Sequence, residues 1–297
     1  MVFVSQLING LQLGSIYALV ALGYTMVYGI IKLLNFAHGD VIMVGGYIAL
    51  NALSFGWHPV VAALATVLGC MILAVVMEKL AYRPIRFAPR LSLLITAIGL
   101  SILLQNLAQL IFSASPQFFP TRDLFPFITD DTTSLQIGEL QIGYVPLITI
   151  LVSLVSMVAL TILVQKTKLG KAMRAVSEDT GAAQLMGINV NTIITFTFAI
   201  GAALAGIGAL LYGAGYPRIE PTLGVMLGLK AFVAAVVGGI GSIPGAMIGG
   251  FAIGLLEVLV KSIGWSGWVD GAVFLILIIV LLVKPSGIMG RNLMEKV

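Results

Sequence analysis

Residues 147–164 read LITILVSLVSMVALTILV and contain no charged side chain. A bilayer core of roughly 30 Å takes about 20 residues of helix to cross, so this stretch reads as a membrane span. Working outward, apolar windows of similar size recur near 7–30, 33–55, 59–80, 91–114, 145–165, 192–215, 225–241, 244–263 and 265–284. The composition agrees: 59% of residues are hydrophobic and only 9% charged, with a mean hydropathy of +1.09. Soluble domains carry about 25% charged residues. The expected fold class is all-α, a polytopic integral membrane protein with about eight or nine transmembrane helices. Two windows are interrupted, 33–55 by Asn35, His38 and Asp40, and 225–241 by Lys230 and the Gly238–Gly239 pair. Some helices are therefore expected to be broken or re-entrant, which is tolerated at depth only where protein or a water-filled cavity covers the freed backbone.

Basic residues set the expected orientation. Loop 79–90 carries Lys79, Arg83, Arg86 and Arg90; 166–174 carries Lys166, Lys168, Lys171 and Arg174; the tail carries Lys284, Arg291 and Lys296. Lys and Arg accumulate on the cytoplasmic side, so these three segments are expected there. The insert 115–143 has Arg122 against Asp123, Asp130, Asp131 and Glu139 and is expected outside, with SLQIGELQIGYV forming a short hairpin. Nine spans place the C-terminus in the cytoplasm and the N-terminus outside; if 225–241 fails to cross, the N-terminal half inverts or another segment is miscounted. Trp57, Trp265 and Trp268 fall at outer span ends, where aromatic side chains anchor. The net charge of +4 reads as loop charge, not as a nucleic-acid surface. Glycine-rich runs at 201–215 and 238–254 place small residues at three- and four-residue spacing. In lipid such spacing lets helix backbones approach closely.

One polar segment departs from its surroundings. KTKLGKAMRAVSEDTGAAQLMGINV (166–190) packs Lys166, Lys168, Lys171, Arg174, Glu178 and Asp179 into its first half. It holds good helix formers; Ser177 or Asp179 is placed to cap a second short helix, and Gly187 to end it in a left-handed turn. A short surface helix flanked by charge suits insertion into a groove on another protein. The alternative is a solvated loop with ordinary positive-inside charge. The chain carries no G-x-x-x-x-G-K-[ST] phosphate loop: Ala172 follows Gly170–Lys171, and Gln165 stands where the first glycine belongs.

GAAQLMG (181–187) resembles the coupling loop of ABC importer permeases, whose pattern is Glu-Ala-Ala, three residues, then Gly. Ala182, Ala183 and Gly187 match it; Gly181 stands in the glutamate's place, with Glu178 and Asp179 one turn earlier. More extensive matches are GLQLGSIYALVALGYTMVYGIIKLLNFAHGDVIMVGGYIAL (10–50), RAVSEDTGAAQLMGI (174–188), GLKAFVAAVVGGIGSIPGAMIGG (228–250) and LVKPSGIMG (282–290). Together they resemble the H-type permeases of branched-chain amino-acid ABC importers over essentially the whole chain, 115–143 being the least distinctive part. The resemblance implies one transmembrane permease domain over 1–297, in a bacterial inner membrane. It implies as partners a second homologous permease subunit, two ATP-binding subunits at the cytoplasmic face and an extracytoplasmic amino-acid-binding protein. ATP and Mg would be used by the partners, with no cofactor bound here. Arg174, Glu178, Asp179, Ala182, Ala183 and Gly187 would couple the chain to the ATPase.

Ionisable groups at depth cost roughly 2.5–3.5 kcal/mol on insertion scales and require partners. Asn35, His38 and Asp40, with Lys230, are the candidates for a translocation route or gate; stabilising a broken helix is the alternative for the first three, and snorkelling to an interface the alternative for Lys230. No third ligand accompanies His38 and Asp40 for a metal, and no catalytic set is visible. Glu257 is expected to pair with Lys261 one turn on, and Gln105, Asn106 and Gln109 to bond neighbouring helices. Rival readings are the same kind of permease for urea, short amides or other amino acids, or a stand-alone secondary transporter or channel.

Overall fold

The computed structural model describes residues 2–32, 35–126, 128, 134–137 and 140–290. Arg291, Lys296, Asp130, Asp131 and Glu139, which entered the orientation argument, lie outside the described residues. Among the described residues, nine apolar helices coincide with the nine windows: α1 (Val2–Ile31), α2 (His38–Ser54), α3 (Pro59–Met77, continued by a π turn Glu78–Tyr82), α4 (Arg90–Phe112), and then, after the short α5 (Thr121–Leu124), α6 (Tyr144–Lys166). The surface helices α7 (Lys168–Glu178) and α8 (Thr180–Leu185) follow, then α9 (Val190–Gly215), α10 (Leu223–Gly238), α11 (Ile243–Ser262) and α12 (Val269–Val283). With the 3-10 turn Ser266–Trp268 that leads into α12 counted as part of it, seven of the apolar helices in the described residues are long enough to cross a membrane.

The two short ones are the two windows the sequence marks as interrupted. Helix α2 has 17 residues and α10 has 16, about 25 Å each at 1.5 Å per residue. They cross near their N-termini. A Cβ added to Gly39 would stand 2.1 Å from the Gly224 carbonyl oxygen, and one added to Gly228 would stand 2.8 Å from the Gly39 Cα. From that crossing α2 and α10 run toward opposite ends of the bundle. The connection before α2 opens with Lys32 at φ 56°, and α10 stops at Gly239 with φ 108°, a conformation glycine adopts without penalty.

The loops sort into two ends. At one, the Tyr82 hydroxyl donates to Asn35 Oδ1 (2.6 Å), Arg86 Nη1 donates to Asn191 Oδ1 (2.8 Å), and the Ile288 and Met289 amides donate to the Val237 and Gly238 carbonyls. At the other, β1 (Gln117–Phe118) pairs antiparallel with a strand at Arg218–Ile219, and the Phe119 amide donates to the Pro217 carbonyl. The expected hairpin is present as β2 (Ser134–Ile137) against β3 (Leu140–Gly143); Arg218–Ile219 is then β4. The first end holds Lys32, Lys79, Arg83, Arg86, Lys166, Lys168, Lys171, Arg174 and Lys284; the second holds Arg122, Arg218 and Lys261.

Helices α1, α2, α9 and α10 form the centre, rich in Gly and Ala. Helices α4, α6 and α12 turn Leu110, Leu151 and Leu282 outward, as lipid-facing surfaces do. The single cysteine, Cys70, is buried and donates to the Val41 carbonyl at 3.5 Å.

Candidate functional site

The 166–190 segment forms two helices, the second capped by Asp179, one of the two residues the sequence offered for that cap. The Thr167 hydroxyl donates to the Leu163 carbonyl (2.6 Å) and accepts the Gly170 amide (3.0 Å), ending α6 and starting α7. Gly170 lets α7 fold back, because a Cβ there would stand 2.2 Å from the Val164 carbonyl oxygen. Arg174 Nη1 donates to that same carbonyl. Met173 and Val176 are buried, so α7 is an amphipathic brace lying on the bundle. Asp179 Oδ1 then accepts the amides of Gly181 (2.7 Å) and Ala182 (3.0 Å), capping α8. The expected left-handed stop is there: Gly187 has φ 81°.

Around α8 the side chains divide. Glu178 and Ala182 are exposed, whereas Ala183 is buried against its own chain. The outward surface is made instead by Leu185 and Met186, 92% and 82% exposed. Sequence reasoning did not single these two out. The signal was the pair of large apolar residues directly before a left-handed glycine. A second omission is Glu78, fully buried, which accepts from Arg86 Nη2 (2.6 Å) and from the Thr195 hydroxyl (2.8 Å). Arg86 counted only as loop charge, yet it ties the end of α3 to the first turns of α9, just beyond α8.

The four residues singled out for a route or gate do not form one cluster. Asn35, His38 and Asp40 are all buried around the start of α2. The His38 ring stacks edge-on against Tyr24, with centroids 5.0 Å apart, over Gly23. Asp40 Oδ1 accepts from Gln105 Nε2 at 3.2 Å, joining α2 to α4. His38 Nε2 and Asp40 Oδ2 have no hydrogen-bond partner among the described residues. Asn106, in contrast, bonds only its own helix at the Ile102 carbonyl. Lys230 turns elsewhere: its ammonium lies 3.2 Å from Glu257 Oε1 and 2.8 Å from Asp270 Oδ1. Glu257 also accepts from Lys261 (2.9 Å), the expected partner, and from the Tyr17 hydroxyl (2.7 Å). This knot of α1, α10, α11 and α12 walls a cavity of about 480 Å³ that Tyr212, Tyr216 and Glu220 also line.

Among the described residues no three His, Cys, Asp or Glu side chains come together to hold a metal. Apolar helices around a polar, ion-paired interior define a multi-pass membrane protein of the kind that moves solutes, since charge at depth marks such pathways. The family described as "Branched-chain amino acid transport system / permease component" matches residues 6–282, and the chain belongs to it. It is 42% identical to the high-affinity branched-chain amino acid transport system permease protein BraD of Pseudomonas aeruginosa, over 99% of this chain and 98% of that protein. With the corresponding protein LivH of Escherichia coli K12 it shares 41% identity at the same coverage. The ribose import permease RbsC of Haemophilus influenzae is more distant, at 29% identity over 86% of this chain and 76% of its own. A solved ABC transporter of metal-chelate type, in an inward-facing conformation, has a similar fold. Its TM-score is 0.51 at 17% identity, covering 93% of this chain and 85% of that one.

Proposed function

We propose that this chain is the permease subunit of a binding-protein-dependent ABC importer that moves leucine, isoleucine and valine into the cytoplasm. The observation that carries the reading is the identity of 41–42%, over nearly the full length, with permeases named for that cargo. The drop to 29% against a ribose permease favours amino acids over sugars. ATP and Mg are handled by two ATP-binding subunits, and a second homologous permease and an extracytoplasmic binding protein complete the assembly. The end rich in Lys and Arg faces the cytoplasm, by the positive-inside rule, and the C-terminus lies there in an inner membrane.

Coupling follows from shape. Helix α8 and the exposed Leu185–Met186 pair enter a groove of the ATP-binding subunit. Arg174 and Asp179 hold α8 at a fixed angle to α6, and Glu78–Arg86 carries its movement to α3. The cavity beside Lys230 is the outer part of the route, and the Asn35–His38–Asp40 turn is the inner gate, alternately closed and open.

Purification in mild detergent, with every co-purifying protein identified by mass, tests the assembly: a second permease and two ATP-binding subunits are expected. A chain that comes alone and transports after reconstitution would make it a secondary transporter or channel. Uptake competition with urea, short amides and other amino acids tests the cargo.

Gly187→Leu tests coupling. No neighbour lies within 4 Å of an added Cβ, so the fold accommodates the side chain, but a left-handed backbone costs a non-glycine residue about 1–2 kcal/mol. The α8 tip is then expected to reorient. ATP hydrolysis should persist while amino-acid uptake per ATP falls severalfold; an unchanged ratio would remove α8 from the coupling path.

A further inference from the structure

Helices α3 and α9 touch closely at one level and part below it. At the contact a Cβ on Gly206 would stand 3.0 Å from the Val67 Cα. Toward the basic end they enclose a groove of about 630 Å³. Its α3 wall is one helical stripe, Leu68, Ile72 and Val76, all exposed, which continues into Lys79 and Arg83. The stripe from Leu68 to Lys79 is roughly 16 Å long at 1.5 Å per residue. The α9 wall repeats the gradient: Phe196 on the apolar part, Thr192 and Asn189 beside the two cations.

Lys79 and Arg83 stand one turn apart, and like charges at that spacing repel. Neither side chain has an ion pair or hydrogen bond among the described residues. The neighbouring carboxylate, Glu78, is buried on the other face and committed to Arg86 and Thr195. An apolar groove that ends in two unpaired cations and neutral donors matches an amphiphile with a negative head.

We propose that this groove binds an anionic phospholipid, with an acyl chain along Leu68, Ile72 and Val76 and the phosphate between Lys79 and Arg83. Basic pockets between transmembrane helices at one membrane surface hold such head groups. A free phosphate would leave the apolar floor unused, and a zwitterionic head would bring its own cation to the two already present. The lipid would wedge between α3 and α9 directly above the Glu78–Arg86–Asn191 link. The proposal depends on the membrane location alone and not on the cargo.

The test uses the full-length chain with its co-purifying subunits, delipidated in mild detergent. It is then titrated separately with dioleoylphosphatidylglycerol, dioleoylphosphatidylcholine and inorganic phosphate, while thermal stability and bound lipid mass are read. Phosphatidylglycerol is expected to raise Tm and remain bound, and the other two to do neither. Lys79→Gln with Arg83→Gln should weaken its retention about 30-fold, equivalent to roughly 1 kcal/mol for each cation near an anionic head group. Val76→Trp, which fills the groove and keeps both charges, should lose retention as well. Equal retention by the charge variant overturns the proposal, as does stabilisation by phosphate or phosphatidylcholine matching that by phosphatidylglycerol. Cross-linking of a Val76→Cys variant to a second permease subunit would overturn it too, by showing a protein helix in the groove.

Discussion

Gly254→Leu is expected to leave almost no monodisperse protein in detergent. Helices α1 and α11 meet through glycine on both sides. A Cβ added to Gly254 would stand 2.2 Å from the Gly14 nitrogen, 2.3 Å from its Cα and 2.6 Å from the Gly10 carbonyl oxygen. One helical turn away, a Cβ on Gly250 would stand 2.5 Å from the Ala18 Cα. All of these are backbone atoms, so no rotamer change relieves the clash and one helix must move. Ordinary overpacking costs about 1–3 kcal/mol; displacing the central helix at its closest contact exceeds that range. Lipid supplies no hydrophobic drive to hold a loosened pair together, because close packing itself is the driving force. Gly99→Leu is the matched control, since nothing lies within 4 Å of an added Cβ there. Size-exclusion profiles of the two variants, expressed side by side, decide the matter: a normal Gly254→Leu peak would contradict the packing.

That contact also marks how far the sequence could be read. Each of the nine apolar windows became a helix because span length and hydropathy are local properties. The polar run Asn35–Asp40 and the Gly238–Gly239 pair mark real helix ends, α2 starting at His38 and α10 stopping at Gly238, because polar groups and paired glycines act locally too. Which helices touch is not local. The run 238–254 announces a small-residue face, and nothing within it points to Gly10 and Gly14. The β1–β4 pairing joins Gln117 to Ile219 through two-residue strands too short for any alternation to show. Glu78 was passed over because it sits among the loop charges, where solvent is the default partner; only a π turn that turns it inward gives it Arg86 and Thr195. Lys230, His38 and Asp40 were singled out as costly at depth, and their separate neighbours became visible only in three dimensions.

The ion-pair knot carries the second large effect, and its physics differs from that of the glycine contact. Glu257 is buried, with the Tyr17 hydroxyl and the ammonium groups of Lys230 and Lys261 on its carboxylate, while Asp270 supplies a second anion to Lys230. Two cations face two anions, so the knot is neutral as a unit and each member depends on the others. Glu257→Gln keeps the shape and an acceptor for Tyr17 but leaves buried Lys230 with only the half-exposed Asp270. Removing one partner of a buried pair costs about 3–5 kcal/mol, and Asp270 holds the expected loss near the lower figure. Lys230→Met alone should cost less, because Glu257 retains Lys261 and Tyr17. Adding Lys230→Met to Glu257→Gln should then restore stability, since the stranded cation is gone. Thermal unfolding of the two single variants and the double variant in one detergent measures the coupling. Additive losses would mean that Lys230 and Glu257 are neighbours without interaction. A rescued double variant would show that the pair is held for charge balance, and its uptake rate would then report what the same two charges contribute to the cavity they wall.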